Sequence, residues 1–404
     1  MRALNVTSEI GRLKRVLLHR PGFELEHLTP KWLNQLLFDD IPWLKKAQQE
    51  HDEFKHILEA HGVEVLYLEQ LVAESLITKK ILDQFVKDFI EESNLKNEHT
   101  IKRLREYLLS LDKLSMVKEM MAGIPKTRLS GVRTLSLKER IEEYPFITDP
   151  MPNLYFTRDP FSIIGHGVSL HKMHANVRNR ESLFGEYIFK YHPAFKDTVK
   201  FYDRDETSSI EGGDILVLNK ETIAIGISER TDPDAIEVIS KRLFKETDIK
   251  LVLAIDMPKK RAFMHLDTIL TQLDYNKFLV HHAFLGKKDI FMITPGSKKD
   301  SIRIEKRNET LKRVFSRVLK SPITMIPCGG DDTIASDREQ WNDGANTLAI
   351  APGVVIVYER NTITNKLLTE HGIKVLPMTS SELSRGRGGP RCMSMPFYRE
   401  DLDQ

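Results

Sequence analysis

A chain of 404 residues with 41% hydrophobic and 29% charged residues has the composition of an ordinary globular protein, long enough to bury a substantial core in one large domain or two. Its formal net charge of +2 implies no basic face and argues against a nucleic-acid partner. Two cysteines make no disulfide framework and suit a reducing, cytoplasmic setting; no apolar run reaches the ~18 residues of a membrane span, and the alternating residues 1–15 do not read as a signal peptide.

The first strand pattern covers Leu13–Leu18 and closes at His19-Arg20-Pro21-Gly22. Helical spacing follows over Trp43–Ala60, with Leu44, Ala47, Phe54, Ile57 and Leu58 apolar, and stops at Gly62; Val63–Leu68 then reads as a strand. Between Gly62 and Gly123 there is neither glycine nor proline. Apolar residues there recur at helical spacing (Leu82, Phe85, Val86, Phe89, then Ile101, Leu104, Leu108, Leu111), which marks residues 75–145 as an inserted helical domain. The chain thus divides into a first unit (1–74), the insertion (75–145) and the remaining units (146–404).

Beyond the insertion, strand pairs recur around short turns. They are Phe161–Ile164 with Val168–Leu170, Ile215–Leu218 with Thr222–Gly226, Thr268–Thr271 with Phe278–Val280, and Leu348–Ile350 with Val354–Tyr358. Single strands follow at Ile249–Ile255 and Ile323–Ile326, and His371-Gly372 leads into Ile373–Pro377 as His61-Gly62 leads into Val63–Leu66. With the opening segment this makes about five units of strand, strand, helix, strand. One such unit cannot bury its own apolar face, so the expected fold is α/β: a five-bladed α/β propeller of ββαβ units with pseudo-five-fold symmetry, carrying the helical insertion. The alternative is an open α/β sheet.

Chemistry concentrates in loops. In Ser384-Arg385-Gly386-Arg387-Gly388-Gly389-Pro390-Arg391-Cys392-Met393-Ser394-Met395-Pro396, the glycines and proline exclude a helix or inner strand. The flanking arginines are expected to stabilise the thiolate of Cys392 and make it a nucleophile; a phosphate-binding Gly/Arg loop is the other reading. Asp159 ends Pro152-Asn153-Leu154-Tyr155-Phe156-Thr157-Arg158-Asp159. Glu211 opens Glu211-Gly212-Gly213-Asp214, where paired glycines permit close approach. His265 and Asp267, two apart in an expected extended segment, should project together. A metal could draw on His265-x-Asp267 with His281-His282 or His171-x-x-His174, but these lack tight ligand spacing, so neither metal nor cofactor is expected. A thiol, a histidine and three carboxylates suit a planar guanidinium, and nearby arginines suit an anionic group on the same molecule.

These motifs resemble those of the arginine deiminases, members of the guanidino-modifying enzyme superfamily with the pentein fold. The match lies in P-N-x-x-F-T-R-D at Pro152–Asp159, E-G-G-D at Glu211, H-L-D-T at His265 and the long motif around Cys392. The resemblance implies hydrolysis of free L-arginine to citrulline and ammonia without a cofactor, with Cys392 as nucleophile and His265 as general acid and then base. It further implies that Asp159 and Asp267 clamp the guanidinium with Glu211 assisting. Arg178 and Arg230 would hold the α-carboxylate, and Asn153 and Arg387 would line the amino-acid end. A homo-oligomer is also implied. Other enzymes of the superfamily, a metal-dependent hydrolase and a non-enzymatic amino-acid sensor are the competing readings.

Overall fold

In the computed structural model, which describes residues 3–129 and 144–402, the same small sheet is built five times. Two strands pair antiparallel, and a third lies parallel to the second. That parallel pairing needs a crossover, and a helix supplies it.

The first unit pairs β1 (Leu13–Leu18) with β2 (Glu64–Tyr67), joined by α1 (Leu44–Ala60). The helical insertion follows directly as α2 (Leu68–Ser75), α3 (Lys79–Glu92), α4 (Glu98–Ser110) and α5 (Lys113–Ala122). Helix therefore begins at Leu68, the last residue of the expected strand. Of the expected insertion, residues 130–143 lie outside the described residues.

The second unit comprises β3 (Phe161–Ile164), β4 (Gly167–Leu170), α6 (Glu181–Tyr191) and a short β5 (Lys200–Tyr202). The third comprises β6 (Ile215–Asn219), β7 (Thr222–Ile227), α7 (Pro233–Glu246) and β8 (Leu251–Asp256). In the fourth, β9 (Leu270–Asp274) and β10 (Lys277–Val280) precede a hairpin of β11 (Lys287–Pro295) and β12 (Ile302–Thr310), then α8 (Leu311–Val318) and β13 (Thr324–Pro327). After α9 (Thr333–Trp341), the fifth comprises β14 (Leu348–Ala351), β15 (Val354–Tyr358), α10 (Thr362–Glu370) and β16 (Lys374–Met378). Finally β17 (Met395–Arg399) returns to the first unit and pairs antiparallel with β1, Leu17 opposite Met395.

Local sequence explains these elements. Gly62 and Gly372 end α1 and α10 at φ of +77° and +76°, a conformation that favours glycine, which is why both His-Gly pairs precede a strand. Strands β3, β4 and β14 are buried at every residue, Ser162 and Ser169 included, so none of them has a polar side facing solvent. Two features departed from expectation. β5 is only three residues long and carries no turn signal. The β11–β12 hairpin leaves its own unit and pairs with β8 of the third, widening that sheet to five strands. Its outer strand, mostly charged and exposed, has no apolar pattern to announce it, and those charges blunt the sheet edge.

Among the described residues, the insertion has no core separate from that of the neighbouring units. Phe85 and Phe89 of α3, Leu104 and Leu108 of α4 and Met116 and Met120 of α5 join one cluster with Phe184 and Tyr187 of α6 and with strands of the second and third units. The Phe85 and Tyr187 rings meet edge-on at 4.7 Å between centroids.

Candidate active site

The repeated unit has a repeated address. Asp159, Glu211, Asp267, Asn346 and Cys392 each lie a few residues ahead of the opening strand of their sheet: β3, β6, β9, β14 and β17 respectively. Each occupies a non-strand segment at the same end of its unit. His265 shares this address with Asp267. The two do not project together from an extended segment as expected: His265 is extended (φ −134°, ψ 161°), whereas Asp267 lies in a 3₁₀ turn over Leu266–Thr268. The turn forms because Asp214 accepts the Leu266 N–H at 2.9 Å and the Thr268 hydroxyl donates to the His265 carbonyl at 2.7 Å.

A narrow cavity of about 30 Å³ is lined by Asn153, Asp159, Arg178, Arg230, His265, Arg387 and Cys392, closed over by Leu37, Asp39 and Gly386. Glu211 and Asp267 stand directly behind it. All nine residues expected at the site are therefore gathered here, seven on the wall and two supporting it.

His265 Nε2 is 2.8 Å from Glu211 Oε2, and its Nδ1 is 3.8 Å from Asp159 Oδ1. Burial alone would depress the imidazole pKa; the charges of Asp159, Asp214 and Glu211 and the bond to Glu211 more than offset it and lift it to about 9. Glu211 is held as a carboxylate: against the effect of burial, the His265 bond and the charges of His265, Arg230 and Arg178 push its pKa far down. A Cβ on Gly213 would lie 2.5 Å from His265 Nδ1, so the second glycine of E-G-G-D is where the imidazole packs on bare backbone.

Cys392 Sγ lies 3.5 Å from Asp267 Oδ2. The expectation that neighbouring arginines would acidify this thiol is wrong. Burial raises its pKa well above the usual thiol value, and Asp267, Asp159 and Asp343 raise it further, against a smaller lowering by Arg391. Arg391 is already engaged: its Nη1 donates to Asp267 Oδ2 at 2.7 Å, and its Nε and Nη2 reach Glu9 at 3.0 and 3.1 Å. Without a further cation in the cavity, the sulfur is a thiol.

The carboxylates keep capacity in reserve. Asp159 Oδ2 accepts from Arg178 Nη1 at 2.9 Å and Asp267 Oδ2 from Arg391, but the Oδ1 atoms of both are buried without a hydrogen-bond partner among the described residues. Two unspent carboxylate oxygens beside a sulfur form a receptor for a planar N–H donor. Arg178, on the short helix Asn176–Asn179, is fixed by Asp159 and by a two-point bond to Glu181 at 3.0 and 2.9 Å. Arg230 is less committed, with Nη1 3.9 Å from Glu211 and a buried Nε that has no hydrogen-bond partner among the described residues. Asn153 Nδ2 donates to the Leu36 carbonyl at 2.9 Å. Arg387, in the left-handed region (φ +66°), stacks its guanidinium 3.3 Å from the Trp341 ring centroid.

Asp159, Glu211 and His265 also bring one ligand atom each within 4.8 Å of one another. Arg178 and Arg230 lie within 4 Å of Glu211, so a cation there would face two guanidinium groups.

Sequence reasoning missed Asn346, Glu9 and Asp343, and misread the role of Arg391. Asn346 is fully buried; its Oδ1 accepts the Cys392 N–H at 2.9 Å and its Nδ2 donates to the Asp267 carbonyl at 3.1 Å, so one side chain fixes both segments. The offset from its strand would have found it, since Asn346 occupies in the fifth unit the place of Asp159 in the second. Asp343 is buried beside Arg387, and burial raises its pKa to about 7.

Known proteins bear on this geometry. The curated relatives include arginine deiminases of Clostridium perfringens (strain SM101 / Type A), 53% identical, and Bacillus cereus (strain B4264), 52% identical, each alignment covering 99% of both chains. That of Streptococcus gordonii is 49% identical over the same share. Solved structures share the fold: SxtG, an amidinotransferase from Microseira wollei, superposes with a TM-score of 0.56 at 17% identity over 100% of this chain and 99% of its own. A dimethylarginine dimethylaminohydrolase superposes at 0.52 and 15% identity over 95% and 100%. The sequence profile of the arginine deiminase family matches residues 34–399. With near-complete alignment at about half identity, and a thiol, an imidazole and unspent carboxylates around one cavity, the chain belongs to the arginine deiminase family.

Proposed function

We propose that this protein hydrolyses free L-arginine to citrulline and ammonia through an amidino-thioether on Cys392, with no metal or cofactor in the reaction. The two buried, unbonded oxygens of Asp159 and Asp267 beside Cys392 Sγ carry this reading.

The guanidinium enters with N–H groups directed at those oxygens, which hold its plane in front of the sulfur. Its positive charge offsets the carboxylates that keep the thiol protonated, so substrate binding itself ionises Cys392 and releases a proton. The thiolate adds to the guanidinium carbon, forming a C–S bond. His265, protonated at neutral pH, gives its proton to the departing nitrogen; the C–N bond breaks and ammonia leaves. The neutral imidazole then takes a proton from water as the water oxygen attacks the adduct carbon, the C–S bond breaks, and citrulline leaves. Glu211 orients the imidazole throughout and favours its charged form before the proton is donated.

Arg230, with the uncommitted Nε, takes the α-carboxylate together with Arg178, and Asn153 and Arg387 flank the amino-acid end. A cavity this narrow admits arginine only if Leu37, Asp39 and the Gly386-Arg387 segment move apart. The five units close as blades of a pseudo-five-fold propeller, with residues 75–145 as an inserted domain between the first unit (1–74) and the rest (146–404). Their common address, facing one cavity from five sheets, supports this. The active form is a cytoplasmic homo-oligomer; no helix among the described residues is long and apolar enough to cross a membrane.

Mass spectrometry of enzyme acid-quenched during turnover tests the reaction. An adduct of arginine less ammonia on the Cys392 peptide is expected, and turnover with no adduct in either the wild type or a His265→Ala variant would overturn it. Agmatine, which lacks the carboxylate, should be a poor substrate.

A further inference from the structure

Three side chains that this reaction leaves unused converge beside the turn after β10. His281 and His282 face Asp337 on α9, and one ligand atom from each lies within 4.8 Å of the other two. His281 is 2% exposed, and its Nε2 is buried without a hydrogen-bond partner among the described residues, 3.5 Å from Asp337 Oδ1. His282 is oriented through Ser336. The Ser336 hydroxyl donates to the Cys328 carbonyl at 2.8 Å, so its oxygen accepts from His282 Nδ1–H at 2.9 Å, and His282 Nε2 keeps its lone pair. Asp337 is mostly exposed, which leaves the group open to solvent on one side.

We propose that His281, His282 and Asp337 bind a divalent transition metal of the Zn²⁺ or Ni²⁺ type. Two imidazoles and one carboxylate suit such borderline ions, whereas Mg²⁺ and Ca²⁺ take oxygen ligands. Binding through His281 Nε2 moves the ring proton to Nδ1, which gives up only a 3.4 Å contact from the Ala283 N–H. Water completes the coordination.

The site has a mechanical link to the cavity. Asp337 lies one turn before Trp341 on the same helix, and Trp341 is the platform for Arg387. A metal joining Asp337 to the His281-His282 turn therefore fixes the ring on which a cavity-lining guanidinium rests. Occupancy should act on arginine binding more than on the bond-breaking steps.

Binding is best read without turnover, in a Cys392→Ser background that removes the competing thiol, so the result stands apart from the arginine reaction. Co²⁺ is titrated by its visible absorption and Zn²⁺ by calorimetry. One equivalent is expected, with affinity falling at least tenfold in His282→Ala and in Asp337→Ala. Failure to bind at millimolar metal overturns the proposal. So does unchanged affinity in both variants, which would put the ion at Asp159, Glu211 and His265 instead. With Cys392 intact, Zn²⁺ should change the KM for arginine at least twofold, and His282→Ala should abolish that change; a Zn²⁺ effect that persists in His282→Ala refutes the link.

Discussion

Two buried histidines, each beside carboxylates, behave differently in this protein. His19 is bonded on both ring nitrogens, Nδ1 to Glu69 at 2.9 Å and Nε2 to Glu24 at 3.0 Å; burial opposes its charge, yet Glu69 and Glu24 raise its pKa to about 10. His265 is bonded only through Nε2, and its neighbours raise it to about 9. The shifts are alike, so a raised pKa does not separate scaffold from site. Unspent bonding capacity does: at the cavity of His265 the Oδ1 atoms of Asp159 and Asp267 have no hydrogen-bond partner among the described residues, whereas His19 is bonded on both ring nitrogens.

The two cysteines sharpen that contrast most. Cys392→Ala should lower activity by at least about 10⁴-fold with unchanged circular dichroism. Cys328, buried against Thr364 and with a pKa pushed up to about 12 by burial, should tolerate alanine with full activity and a loss of about 1 kcal/mol in a denaturant melt. Iodoacetamide should modify Cys392 slowly at pH 8, with an inflection well above 9; rapid alkylation at neutral pH would contradict a thiol raised by three carboxylates.

Next in size is His265→Gln, expected to cost about 10²–10⁴-fold in kcat with little change in melting temperature. In the wild type, kcat/KM should fall as pH rises through about 9, where the imidazole of the free enzyme loses the proton it donates. A kcat/KM constant to pH 10.5 would remove His265 from that role. Asn346→Ala should cost roughly 10–100-fold by loosening both the Cys392 and Asp267 segments, and single-turnover kinetics should place the loss in adduct formation.

Only a small effect on activity is expected at His19. His19→Gln should leave kcat within about threefold and cost about 3 kcal/mol of stability by stranding Glu24 and Glu69. The sign follows from its pKa, raised from about 6.5 when unfolded to about 10 when folded. Its contribution is fully present below about pH 6.5 and is lost as pH rises through 10, so urea melts of wild type and variant should converge toward that limit. If the gap widens with pH, the assignment of charge to His19 is wrong.

Much of this was legible in the sequence because the repeat and the motifs are local. Strand pairs around short turns, glycine stops after α1 and α10, and the Asp159, Glu211, His265 and Cys392 segments all announce themselves within a few residues. What stayed hidden depends on partners distant in the chain. The ionisation of Cys392 was misread because Arg391, adjacent in sequence, is claimed by Glu9 and Asp267. Asn346 carries no motif, and its role arises only when the segments ahead of β14 and β17 meet the Asp267 turn. The β11–β12 hairpin was unreadable because its pairing belongs to another unit's sheet.

The return of β17 to β1 also has a kinetic meaning. Cys392 stands just ahead of the strand whose register with Leu13–Leu17 joins segments almost four hundred positions apart, among the longest loops this chain must close. Such remote pairing is slow to form. During refolding, the ellipticity of the insertion helices should therefore recover well before citrulline production, with competence acquired only when that seam zips up.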